Sequence, residues 1–214
     1  MMTVRPATPA DADEVVRINV RTWQHAYAGM VPGDVLEALD GLVDERVRRT
    51  RERWSGSQPG PFRTLVALAG PAPHGQRPVG YVTYGPYRAD QDWDQTDPTV
   101  GEVFALYVDP VHQGRGAGGA LLAAAVKELR AGGAGEIRLW VLAENAPSQR
   151  FYARFGFRPD GARDTFRVQR PDGTAVDLPE LRMALPAQPA GAVTHPGPRA
   201  ARPGSGSRPG RAAA

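Results

Sequence analysis

The sequence predicts a single domain of mixed α/β class, built on a central, mostly antiparallel sheet of about seven strands flanked by helices. Three observations carry that reading. The chain has 214 residues, which is one domain by default and long enough to bury a real core. Two β-rich runs in the first half, at 62–69 and 79–87, are joined only by the turn segment "GPAPHGQRP" and read as an antiparallel hairpin. Two more, at 158–169 and 175–185, flank the turn "RPDG" and read as a second pair.

The elements follow in order. "TVRPAT" is a short first strand. Asp11 or Asp13 caps a helix that carries Val15, Val16, Ile18 and Val20 on one side and runs to about His25. "VPGDVLEAL" restarts a helix, with Pro at its opening turn, Asp34 next to it, and Val35, Leu36 and Leu39 on one side. "DERVRRTRERW" spaces arginines and acids at helical intervals, as a solvated helix face does. After the hairpin and a polar loop at 88–98 comes the strongest strand, 99–110, ended by Pro110. A helix from Gly116 to Arg130 stops at Gly132-Gly133. A buried strand at 136–143 and a helix at 146–155, stopped by Gly156, lead to the last pair of strands.

Composition excludes several classes. There is no cysteine and there are only four histidines, so no disulfide framework and no metal centre are expected. No stretch approaches the roughly 18 apolar residues of a membrane span, and no signal peptide is visible; the expectation is a soluble, cytoplasmic protein. The formal charge is +3. Residues 186–214 contribute four arginines and no acid, so residues 1–185 sum to 3 − 4 = −1 and are near neutral. The domain is therefore placed at 1–185, and 186–214 is expected to be a disordered Pro/Gly/Ala/Arg tail. A polyanion-binding role would rest on that tail alone, and a nucleic-acid partner is disfavoured.

The chemistry concentrates in "DPVHQGRGAGGALLAAA", Asp109 to Ala125. Glycines at a helix start remove side chains that would keep a phosphate from the unpaired N–H groups there. Gly114-x-Gly116-x-x-Gly119 matches the dinucleotide fingerprint, and Glu144 stands near the place of its acid. Against that reading, four residues separate the strand end from Gly114, and too few strands follow for a second nucleotide-binding half. An ATP-type phosphate loop is excluded, because no Lys-Ser/Thr pair follows the glycines.

The same loop reads Gln113-x-x-Gly116-x-Gly118, and "LYVDPVHQGRGAGGALLAAAVKEL" resembles the acetyl-coenzyme-A motif of the GNAT superfamily of N-acetyltransferases. "LWVLAENAPSQRFYARFGFRP" is similar to that family's strand, Asn and Phe-Tyr-x-x-x-Gly-Phe helix, and "VRPATPADADEVVRI" with "RTWQHAYAG" to its opening strand and paired helices. The resemblance covers residues 3–185 in family order. It implies two central strands that are parallel and splayed. It also implies acetyl-CoA as co-substrate, no metal, and acetyl transfer to a primary amine of a small molecule or peptide. A non-catalytic acyl-CoA-binding sensor of the same fold is the alternative, no membrane partner is implied, and a homodimer stays open.

Residue by residue, the resemblance places the pyrophosphate on N–H groups from Gly114, Arg115, Gly116, Ala117 and Gly118, opened by Gln113. The pantetheine arm then runs along Leu106, Tyr107 and Val108, with an oxyanion-stabilising N–H near Val108. Asn145 bonds the pantetheine or a water, or caps the next helix. Glu102 takes the place of a catalytic base, and by strand alternation shares a face with Phe104, Leu106 and Val108. Some relatives put a base five residues before the Asn, a place held here by Trp140, which cannot titrate. Tyr152 takes the place of the acid that serves the leaving thiolate. The acceptor groove is expected around Trp23, His25, Tyr27, Tyr84, Tyr87 and the loop Asp90–Asp97 with Trp93.

Overall fold

The computed structural model describes residues 2–56, 60–70, 76–89 and 95–187. Seven strands form one sheet: β1 (Thr3–Pro6), β2 (Arg63–Ala69), β3 (Arg77–Arg88), β4 (Thr96–Val108), β5 (Glu136–Leu142), β6 (Arg158–Gln169) and β7 (Ala175–Leu185). Five α-helices accompany them: α1 (Ala12–Ala26), α2 (Gly33–Ala38), α3 (Val43–Ser55), α4 (Ala117–Ala131) and α5 (Ala146–Arg154). Spatial order is β1-β2-β3-β4-β5-β7-β6. Neighbours are antiparallel except β4 and β5, which are parallel and joined only through Val100–Glu102 against Glu136–Arg138. Beyond Glu102 the two strands part, and the last six residues of β4 have no partner on the β5 side.

The helices sort to the two faces by their apolar stripes. Leu121, Leu122, Ala125 and Leu129 of α4 pack with Tyr152 and Phe157 against Val82, Tyr84, Val103, Ile137, Leu139 and Met183, forming the main core. Val15 and Ile18 of α1 pack against Val66, Leu68 and Tyr81 on the opposite face. A smaller cluster joins Val31, Val35 and Leu36 to Leu142, Val168 and Leu178.

Local signals account for most boundaries. Asp11 sits in a 3-10 turn before α1, where its carboxylate accepts from the Thr8 N–H at 2.8 Å and from Arg5 at 2.7 and 2.8 Å; Asp13 instead pairs with Arg17 at 2.9 Å. The acids and arginines of α3 pair along its outer face, Arg48 with Glu45 and Glu52 and Arg49 with Glu45. Arg46 departs from that solvated pattern by donating inward to Asn19 Oδ1 at 2.7 Å.

One register feature overturns the simple alternation along β4. Val103 pairs with Tyr84 but Ala105 pairs with Thr83, so Phe104 is an extra residue in a β-bulge. The bulge flips every residue after it. Val103 faces α4, yet so do Leu106 and Val108, while Ala105 and Tyr107 face α1. Glu102 therefore does not share a face with Leu106 and Val108. Among the described residues, no helix is long and apolar enough to cross a membrane.

Candidate active site

The splay between β4 and β5 opens a cleft of about 1190 Å³. It runs from the first turn of α4, past the free edge of β4 and the end of β5, to the face of the sheet under α1. Its mouth is the loop after β4. Asp109 Oδ1 accepts from the Val111 N–H at 3.2 Å and shapes a 3-10 turn over Pro110–His112. Its other oxygen is gripped by Arg21 of α1, which reaches on to Glu14 at 2.6 Å. Gln113 Nε2 donates back to the Val108 carbonyl at 3.1 Å, closing the loop on the strand.

The glycines of the loop divide into two kinds. Gly114 and Gly116 have φ of +73° and +91°, a backbone only glycine adopts cheaply, and a Cβ on either would meet nothing within 4 Å. They leave open space before the N–H groups at the start of α4, where the helix dipole favours an anion. Gly118 and Gly119 serve packing: a Cβ there would lie 3.4 Å from Phe151 and 3.2 Å from Phe155 respectively. Ala117 is buried in the core, so only its backbone faces the cleft, and Arg115 is exposed.

Deeper in, Leu106, Tyr107 and Val108 line the cleft with Asn145 and Tyr152 across the splay. Asn145 is buried and its Oδ1 accepts from the Ser148 N–H at 3.1 Å, so it caps α5. Burial raises the Tyr152 hydroxyl well above the usual phenol range, reinforced by the neighbouring Tyr107, and keeps it protonated. Tyr107 has its hydroxyl bonded by Trp23 Nε1 at 3.1 Å.

Glu102 is 1% exposed and fully engaged. Arg88 reaches it through Nη2 at 2.6 Å and Nε at 3.2 Å, and the Arg88 backbone N–H adds a third bond at 3.0 Å. A carboxylate so held has both oxygens committed.

The acceptor side is only partly as expected. Trp23, His25 and Tyr27 line the cleft, with Trp23 edge-on to Tyr27 at 4.9 Å and to Phe166 at 5.9 Å. Tyr84 does not: it faces α4, where its hydroxyl bonds Glu128. Tyr87 is buried beneath Arg138 and Arg182 and accepts from Arg182 at 2.8 Å. Asp97 is exposed and closes its own turn on Thr99 at 2.8 Å. Asp90, Asp92, Trp93 and Asp94 lie outside the described residues, as does the C-terminal tail from residue 188.

One carboxylate escaped the sequence reading. Glu180 of β7 lines the cleft, and burial raises its carboxyl to about 7, with Asp164 and Glu102 adding to the shift and Arg88 opposing it. The signal was present in "AVDLPELRMAL": an acid falls on the same side of the strand as Val176 and Leu178. Trp140, on β5, also lines the cleft, and its buried Nε1 has no partner among the described residues.

A parallel pair splayed over a glycine-opened helix start, with a buried tyrosine facing the gap, is the architecture of an acyltransferase. The chain belongs to the acetyltransferase (GNAT) family, whose profile matches residues 35–157. It is 27% identical over 187 residues to the N-acetyltransferase YuaI of Bacillus subtilis, covering 87% of this chain and 94% of that one. It is 44% identical over 159 residues to a mycothiol acetyltransferase of Clavibacter michiganensis, covering 73% of this chain but only 42% of the relative. Among solved structures, the PaiA N-acetyltransferase of Thermoplasma acidophilum in complex with coenzyme A superposes with a TM-score of 0.63 at 18% identity. That match covers 87% of this chain and 99% of the other, and shows shared fold. The chain is an acetyltransferase acting on an amine.

Proposed function

We propose that the cleft binds acetyl-CoA with its pyrophosphate on the N–H groups between Gly114 and Gly118 and its pantetheine along the free edge of Leu106–Val108. The acetyl group then passes to a primary amine entering from the α1 side. The single observation that carries this reading is the open edge of β4 leading straight from a side-chain-free helix start: an extended pantetheine arm completes the sheet where β5 has turned away. The coenzyme A bound to the PaiA neighbour supports the assignment.

Tyr152 serves the leaving thiolate, since its hydroxyl stays protonated and faces the splay. Asn145 holds the end of β5 and the start of α5 in register with that hydroxyl. The third expected role changes. For Glu102 to accept a proton it must break its buried ion pair with Arg88, which costs roughly 3–5 kcal/mol. Glu102 is better read as the anchor of Arg88 than as a base.

The acceptor is a small or peptide amine. The aromatic walls of Trp23, Tyr27, Tyr107 and Phe166 suit an ammonium group, which is attracted to ring faces. The test is an acetylation screen with acetyl-CoA against spermidine, tyramine, glucosamine, an alanine-leading peptide and the unacetylated precursor of mycothiol, the last suggested by the Clavibacter relative. We expect one class to be acetylated, and Tyr152→Phe to lower kcat about 10²-fold or more with little change in acetyl-CoA binding. No transfer to any amine, together with acetyl-CoA binding unaffected by Gly116→Ala, would return the chain to a binding role without catalysis.

A further inference from the structure

We infer that Glu180 of β7 receives the acceptor's ammonium group and is the base that removes its proton. The inference rests on the cleft being the acetyl-transfer site proposed above. Among the described residues that line the cleft there are two carboxylates, Glu102 and Glu180. Glu102 is consumed by Arg88. The Glu180 carboxylate has neither a hydrogen bond nor an ion pair with any described residue. It is therefore the carboxylate in the cleft able to meet a cation without breaking an existing bond.

Its place in the sheet fits the role. β7 lies directly beside β5, with Glu180 opposite Leu142, three residues before Asn145, and Arg182 opposite Trp140. Directly paired residues project to the same side of a sheet, so Glu180 stands at the β5 end of the splay, on the face under α1. Trp140 adds a second, independent mark. Its buried Nε1–H faces no acceptor among the described residues, and a buried donor without a partner is costly. A bound molecule offering an oxygen beside its amine would satisfy it.

The charged and titratable groups around Glu180 come from every strand and helix packed on it. Asp164 stands directly opposite on β6. Glu102 and Arg88 act from β4 and β3 with opposite signs. Tyr27, just past α1, and Tyr107 of β4 both feel its charge. Arg182, two residues along β7, is committed to Asp160 at 2.7 Å and Tyr87 at 2.8 Å. A carboxyl that burial and two like charges lift to about 7 is matched to proton transfer near neutral pH.

The step balances as follows. The Glu180 carboxylate takes one proton from R–NH3+, leaving R–NH2. The nitrogen lone pair attacks the thioester carbonyl; the C–N bond forms and, as the tetrahedral intermediate collapses, the C–S bond breaks. The thiolate takes a proton from Tyr152, and the acetylated nitrogen gives up its second proton to restore Tyr152. Glu180 releases its proton to solvent.

The test compares pH–rate profiles from pH 5.5 to 9.5 for wild type, Glu180→Gln and Glu102→Gln, with saturating acetyl-CoA and the best acceptor of the amine panel above. Wild type is expected to gain rate through about pH 7. Glu180→Gln is expected to lose that inflection and about 10²- to 10⁴-fold in kcat at neutral pH, recovering as rising pH deprotonates the free amine. Formate should restore part of the activity of Glu180→Ala, which a purely structural role would not allow. A second readout needs no acceptor: ¹³C NMR of glutamate-labelled protein should show a carboxyl titrating near neutrality that vanishes in Glu180→Gln and persists in Glu102→Gln. The inference is overturned if that signal is absent or survives in Glu180→Gln, or if the Glu180→Gln profile matches wild type. If no amine in the panel is acetylated while the NMR titration behaves as expected, the acetyl-transfer reading fails and not the assignment of Glu180 as the free carboxyl of the cleft.

Discussion

At the scale of single residues, two glutamates on facing parts of one cleft are set apart by their partners. Glu102 is bound by Arg88 on both oxygens, whereas Glu180 is pushed toward neutrality by burial and by like charges. Different stability signatures follow. Glu102→Gln should lower the urea midpoint by the equivalent of roughly 3–5 kcal/mol, because it breaks a buried ion pair in which Arg88 is 12% and Glu102 2% exposed. Replacing both by apolar residues, Arg88→Met with Glu102→Leu, should recover most of that loss; a double variant as unstable as the single one would show that the pair does more than cancel its own burial. Glu180 works in the opposite sense. Its folded pKa lies near 7 against an ordinary 4.5, so the folded state holds its proton more tightly than the unfolded one. Its contribution to stability is complete below about pH 4.5 and is lost as pH rises through 7. Glu180→Gln should thus match wild type near pH 4.5 and exceed it above pH 8 by roughly 1–2 kcal/mol, after allowance for solvent screening at a partly buried site. Equal stability at pH 8 would contradict the raised pKa.

At the scale of elements, the order and type of nearly every strand and helix were legible, because each carries its own period and its own stop: Pro110 after β4, Gly132-Gly133 after α4, Gly156 after α5. What the sequence hid depends on partners far along the chain. The bulge at Phe104 exists only in the register of β3 against β4, so alternation along β4 put Glu102 on the wrong face relative to Leu106. The Arg88–Glu102 pair and the exclusion of Tyr84 from the cleft follow from the same register. Glu180 was concealed because it is one of three charged residues along its strand, with Asp177 and Arg182, and only its neighbour β5 makes that side a cleft wall. Helix α4 offers a clean test of its opening loop. Gly116 at its start and Gly133 past its end have φ of +91° and +97° and empty space where a Cβ would go. Gly116→Ala and Gly133→Ala should each cost about 1–2 kcal/mol from left-handed backbone strain. Only Gly116→Ala should also abolish the rise in melting temperature on adding acetyl-CoA. An equal loss of the shift in both would assign the effect to strain and not to the phosphate cradle.

At the scale of the whole molecule, the sheet is two half-sheets, β1–β4 and β5–β7, joined strand to strand through three residue pairs at Val100–Glu102 and Glu136–Arg138. Further links include the Gly135 N–H, just before β5, on the Thr99 carbonyl of β4 at 2.8 Å and Arg182 of β7 on Tyr87 of β3 at 2.8 Å. A ligand lying in the splay touches both halves and replaces the ladder that β4 and β5 do not make with each other. Binding should therefore stabilise the molecule as a unit and quiet its open edge. At a ligand concentration of 100 times Kd the gain is about 2.7 kcal/mol, which for a domain of this size corresponds to a rise of roughly 5–10 °C in Tm. NAD at the same concentration should give no rise. Amide hydrogen exchange locates the effect: with acetyl-CoA, the amides of residues 106–108 and 114–118 should slow by about tenfold or more. The far end of the β6–β7 hairpin, around residues 170–174, should be unaffected. Slowing spread evenly over both half-sheets would mean that the ligand tightens the fold globally without occupying the β4 edge. Protection confined to residues 114–118 would mean that the phosphates bind and the pantetheine arm does not follow the strand.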